Sequence, residues 1–164
     1  MKNLIIGFDP GLNNTGWGII ENLSNSEKYV NHGSISTKKD TPLGQRLNMI
    51  YEGVSELFSK YSPESIAVEK IFSNKNPQST LKLGKARAII FLVAARFKVE
   101  TFEYSPNTVK KNLVGYGHAE KKQIIKMIER FFPGLKSLNH DSADALAVAI
   151  CHSMQKKSKI NLFV

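Results

Sequence analysis

Two short apolar runs, Leu4 to Phe8 and Trp17 to Ile20, flank the turn-forming stretch "DPGLNN". The pattern predicts a strand over 3–8, a turn, and a second strand over 16–22. Pro10 fixes one backbone angle of that turn and Gly11 accepts a positive φ. A third strand is expected over 28–36, and the short connections favour an antiparallel meander. Leu43, Leu47, Ile50, Val54, Leu57 and Phe58 then recur at helical spacing up to Tyr61, where Pro63 intervenes.

The second half alternates. "SIAVEKIF" reads as a buried strand over 65–72, "STLKLGKARAIIFLVAARF" as a long helix over 79–97, and "VETFEYS" as a strand over 99–105. Ala119 to Phe132 and Ser142 to Met154 read as two further helices. The predicted order is β-β-β-α-β-α-β-α-α, without repeat or linker. Each crossover between the later strands carries a helix, so those strands run parallel to the first. The result is an α/β chain with a mixed five-stranded sheet and helices on both faces. One domain over 1–157 accounts for it, and 158–164 are read as a C-terminal tail: an ordered strand, a partner contact or a frayed end.

Composition changes this picture in two ways. Twenty-three Lys and Arg against fourteen Asp and Glu give a net charge of +9, which points to a polyanionic partner. The longest apolar run, Ala88 to Ala95, is far short of the roughly 20 residues that span a bilayer, so nucleic acid is favoured over membrane. The single cysteine, Cys151, lies in an apolar helical pattern and is expected in the core; one thiol and the absence of a signal-like leader fit a cytoplasmic protein.

In mixed sheets of this kind, function gathers at the carboxyl ends of the parallel strands. Asp9 ends the first strand and Glu69 the fourth, while Asp141 and Asp144 stand one turn apart on one face of the last helix. Each has an ordinary reading alone: a turn residue, a solvated strand end, acids favoured by a helix dipole. Together they fall where the topology brings them to a common edge. Like charges so placed repel unless a cation joins them.

At these residues the sequence resembles a known family. "FDPGLNNTGWGII", "IAVEKIF", "KNPQSTLKLGKARA", "GYGHAEKKQI" and "DSADALAVAICH", in this order and spacing, are similar to the RuvC-type Holliday-junction resolvases of bacteria. The resemblance implies a ribonuclease H-like fold and a homodimer that nicks two strands of a four-way DNA junction symmetrically in recombination and repair. It also implies catalytic and metal-binding roles for Asp9, Glu69, Asp141 and Asp144. Two Mg²⁺ ions per site, for which Mn²⁺ substitutes, would activate water and stabilise the leaving oxygen at roughly 4 Å separation. Trp17 and His118 depart from the family pattern, and His140 is read as a bystander beside Asp141.

DNA contacts are expected from Lys75, Lys82, Lys85, Arg87, Lys110, Lys111, Lys121 and Lys122, in or beside the loops and helix starts that follow the strands. By resemblance Lys110 and Lys121 come first, and Phe72 stacks on an unpaired base at the junction. Branch-migration proteins of RuvA and RuvB type are the implied partners. The helix containing "ARAIIFLVAA" is apolar nearly all round, so one side needs a second cover: a symmetric twin, or the chain's own later helices. Two other functions remain to be weighed, a junction-binding protein without chemistry and an actin-like ATP phosphotransferase.

Overall fold

The computed structural model describes residues 3–71, 77–135 and 138–161. Its elements run β1 (Leu4–Asp9), β2 (Asn14–Asn22), β3 (Glu27–Ser36), α1 (Leu43–Tyr61), β4 (Ser65–Glu69), α2 (Pro77–Phe97), β5 (Glu100–Tyr104), α3 (Pro106–Val114), α4 (Lys121–Phe131) and α5 (His140–Asn161). One five-stranded sheet has the order β3-β2-β1-β4-β5. The β1–β2 and β2–β3 pairs are antiparallel, and β1–β4 and β4–β5 are parallel. The expected mixed sheet is therefore present.

Strand alternation divides the core into two layers, because successive side chains leave opposite faces. Ile6, Phe8, Ile19, Ile66 and Val68 meet α1 and α2 on one face. Ile5, Ile20 and Ala67 meet α3, α4 and α5 on the other. Cys151 is in this second layer, where burial pushes its thiol up to about 12, so it is an inert core group as the sequence suggests.

Three features differ from the sequence reading. A helix not anticipated there, α3, occupies 106–114: Ser105 caps it by accepting from the Thr108 N–H at 3.1 Å, Pro106 begins it, and Gly115 ends it at φ 90°. Strand β4 stops at Glu69, short of the expected end at 72. Helix α5 begins at His140 and continues to Asn161, seven residues past Met154 and across the position where the tail was expected to start.

The later helices do not cover the outer side of α2, since α3, α4 and α5 all pack on the opposite face of the sheet. Leu81 is 65 % exposed and Leu92 51 % on that side, whereas Phe97 turns inward against Phe58. Among the described residues no helix is long and apolar enough to cross a membrane.

Candidate active site

The position of Asp9 follows from strand pairing. It ends β1 opposite Gly16 of β2, and β4 runs parallel alongside, with Phe8 level with Val68, so Glu69 leaves the sheet at the same edge. Helix α5 lies across β1 and β2 where the strands carry glycine. A Cβ on Gly7 would overlap the Ala145 carbonyl, and one on Gly16 would overlap that of Asp141. This close approach brings the first turns of α5 to the carboxyl end of β1.

Neither acid of α5 is used to cap the helix. Asn139 does that, its side-chain oxygen accepting from the Ser142 N–H at 2.8 Å and the Ser142 hydroxyl at 2.6 Å. Asp141 and Asp144 are thereby left to the sheet edge. The structure brings all four predicted acids into one electrostatic group. Burial, then Asp144, Asp141 and Glu69, push the Asp9 carboxyl up to about 7, against a smaller opposing pull from Lys121. Glu69 is also raised, first by burial and then by Asp144, while Lys110 and Lys121 oppose the shift.

Lys121 is the cation that meets Asp144 within this group. It opens α4, whose start is fixed by a capping box in which the Glu120 N–H donates to Gln123 at 2.8 Å. Its Nζ lies 3.0 Å from Asp144, and that hydrogen bond, with the charges of Asp144, Asp9 and Asp141, raises its pKa. A cavity of about 340 Å³ beside it is lined by Glu69, Lys110, Lys121 and Asp144. Lys110 enters from α3, the helix the sequence reading did not anticipate.

The donor set suits a hard divalent cation: carboxylate oxygens alone, crowded enough to hold a proton on Asp9 and an ammonium on Asp144. Among the described residues no three His, Cys, Asp or Glu side chains are already arranged around a single ion position.

The other predicted residues divide. Lys82, Lys85, Lys111 and Lys122 are exposed, as expected of phosphate contacts. Arg87 is not turned to solvent. Its guanidinium donates to the Glu69 carbonyl and pairs with Glu103, so it ties the end of β4 to β5. Phe72 and Lys75 lie outside the described residues. His140 and His118 are exposed, whereas Trp17 packs against the α1–α2 layer.

Sequence reasoning missed one contributor altogether, Arg46 of α1. It is 8 % exposed, donating from Nε to the Thr37 hydroxyl at 2.9 Å and from Nη2 to the Leu12 carbonyl at 3.0 Å and to Asn13 Oδ1 at 2.6 Å. These bonds hold the β1–β2 turn just beyond Asp9. A lone arginine on an amphipathic helix gives no signal of such burial.

A sheet of this order, with acids gathered at the ends of β1 and β4 and the start of α5, defines a ribonuclease H-like nuclease. The family model described as "Crossover junction endodeoxyribonuclease RuvC" matches residues 5–152, and the chain belongs to that family. The crossover junction endodeoxyribonuclease of Bartonella bacilliformis is 46 % identical over 155 residues, covering 94 % of this chain and 93 % of the relative. That of Sinorhizobium medicae is 46 % identical over 154 residues, covering 94 % and 92 %.

Among solved structures, Thermus thermophilus RuvC in complex with Holliday junction substrate aligns with a TM-score of 0.88 at 28 % identity, over 95 % of this chain and 96 % of that one. The yeast mitochondrial Holliday junction resolvase shares the fold, with a TM-score of 0.68 at 13 % identity over 98 % and 84 %. The family comprises divalent-metal-dependent nucleases that act on Holliday junctions. Neither the inactive binder nor the ATP phosphotransferase is favoured by these relatives.

Proposed function

We propose that this chain resolves four-way DNA junctions as a homodimer, cutting two strands symmetrically with Asp9, Glu69, Asp141 and Asp144 of each subunit in a Mg²⁺-supported hydrolysis. The observation that carries the reading is the convergence of Asp9, Glu69, Asp141 and Asp144 at one sheet edge, set by strand pairing and by the close approach of α5 to Gly16; burial first, and then the three other carboxylates, raise the Asp9 carboxyl there. A surface solvating ordinary acids has no reason to crowd them.

Asp9 and Glu69 come from strand ends fixed by the sheet, so they hold their oxygens rigidly; Asp141 and Asp144 complete the set from α5. Two Mg²⁺ ions held by these carboxylates would supply an activated water and charge stabilisation at the leaving 3′ oxygen, with Mn²⁺ substituting. Asp9, central to the repulsion, is best placed to serve both ions. Lys121 holds Asp144 in place and, with Lys110, draws the DNA backbone toward the acids. Lys82, Lys85, Lys111 and Lys122 extend the positive surface, the sequence adds Lys75 to it, and the resemblance gives Phe72 a separate role, stacking on an unpaired base.

The uncovered apolar side of α2 supports pairing of two subunits, because an exposed stripe of that kind marks an interaction surface. A two-fold dimer matches a two-fold junction, one site to each cut strand. Branch-migration proteins of RuvA and RuvB type would deliver the junction, in the cytoplasm. The test is cleavage of an end-labelled four-way junction: paired nicks at symmetric positions with Mg²⁺ and none in chelator support the reading. Undiminished cutting in chelator overturns it.

A further inference from the structure

On the other side of the acids from Lys110 and Lys121 lies a cleft of about 650 Å³, the largest cavity described here, lined among others by Lys39, Arg46, Lys82, Asn13 and Asp141. We infer that this cleft is a binding subsite for a backbone phosphate of the DNA strand that crosses the acidic centre. The inference rests on the nuclease reading above and extends it to Lys39 and Arg46, which that reading does not use.

Three cations and one carboxylate line the cleft, so it favours an anion. Lys39 and Lys82 are exposed ammonium groups from the segment before α1 and the first turns of α2. Arg46 differs from them because it is more than nine-tenths buried and, among the described residues, no carboxylate pairs with it. Burying a guanidinium against neutral oxygens alone is costly. An anionic oxygen in the cleft would compensate it, and the planar fork suits phosphate better than an ammonium does.

The geometry gives the subsite a purpose. Asp141 borders this cleft, while Asp144 and Glu69 border the cavity of Lys110 and Lys121. The acids thus lie between two basic banks. A strand gripped on both has its intervening phosphate held over the carboxylates, where grip on one bank alone would leave it free to swing. Arg46 also bonds the turn that follows Asp9, so occupation of the cleft and placement of Asp9 share one side chain.

The test uses full-length protein and four-way junctions in which each phosphate near the cut is neutralised in turn as a methylphosphonate. Binding is read in chelator, and cleavage of the unmodified junction with Mg²⁺ is read in parallel. One neutralised position should weaken wild-type binding at least fivefold yet have no effect on Lys39→Ala/Lys82→Ala, whose log-log salt slope should be about 1.8 smaller. Lys110→Ala should keep the effect at that position. Arg46→Lys should retain the effect in weakened form, and Arg46→Gln should lose it, whatever either does to the melting temperature. Identical methylphosphonate profiles for wild type and the double variant overturn the subsite. Failure of wild type to cut the unmodified junction overturns the nuclease reading instead, and the binding profile still decides the subsite.

Discussion

Gly16 and Asp141 are in backbone contact: a Cβ on the glycine would overlap the Asp141 carbonyl, and Gly16 is the residue paired with Asp9 across the β1–β2 ladder. Helix α5 therefore reaches the sheet edge only because β2 carries no side chain there. Gly16→Ala should push the first turn of α5 outward, at a cost of about 1–3 kcal/mol for overpacking. The melting temperature should fall by several degrees. Junction cleavage should fall at least tenfold in protein that circular dichroism still reports as folded, and cleavage at the wild-type rate would show that α5 need not lie this close.

Asp9 makes stability depend on pH in a stated direction. Its folded pKa is raised from 3.8 to about 7, first by burial, so between those values the folded chain keeps a proton that the unfolded chain has lost. The associated stability is fully present below about 3.8 and is lost as pH rises through about 7. Asp9→Asn should therefore raise the melting temperature of metal-free protein at pH 8 and have little effect at pH 4. Mg²⁺ should stabilise wild type more at pH 8 than at pH 6, because it competes with that proton. Calorimetry across the range checks both.

Lys110 and Lys121 should each contribute one phosphate neutralisation. Alanine at either position should reduce the log-log salt slope of junction binding by about 0.9. Lys121→Ala should in addition remove the opposing pull on Asp9 and raise its pKa further, which carboxyl NMR would detect. Fluorescence titrations at several salt concentrations measure the slopes, and unchanged slopes would mean that neither side chain contacts a phosphate.

Much of this arrangement was legible in the sequence. The three early strands, helix α1 and the parallel strands declared themselves by apolar periodicity, and the acids by their places at strand ends. Helix α3 was not anticipated because only Val109 and Leu113 of its nine residues are buried, too few to print a periodicity. Its punctuation, Ser105-Pro106 before and Gly115 after, was the available signal. Arg46 was illegible for a different reason, since its partners Leu12, Asn13 and Thr37 are distant in sequence and two of its three bonds go to them through a backbone carbonyl or a neutral amide. The α5 acids resolved the opposite way: a helix start explains acids by its dipole, but Asn139 does the capping here.

The outer side of α2 gives a prediction about assembly. Leu92, half exposed in the C-terminal half of α2, should be buried by a second subunit. Leu92→Glu should leave the monomer fold and melting temperature nearly unchanged while shifting sedimentation from dimer to monomer. Such a monomer should lose paired cutting, leaving single nicks. A wild-type protein that sediments as a monomer at working concentration would remove the dimer from the account.

The central claim is that carboxylates gathered around Asp9 perform the hydrolysis, and single-turnover cleavage of a labelled four-way junction by Asp9→Asn tests it most directly. At pH 8, above the raised Asp9 pKa of about 7, the substitution removes a negative charge beside the phosphate and leaves the lysines in place. The variant should bind the junction in chelator at least as tightly as wild type, yet cut it more than a hundredfold more slowly with Mg²⁺ present. Cleavage by Asp9→Asn at the wild-type rate would contradict the account.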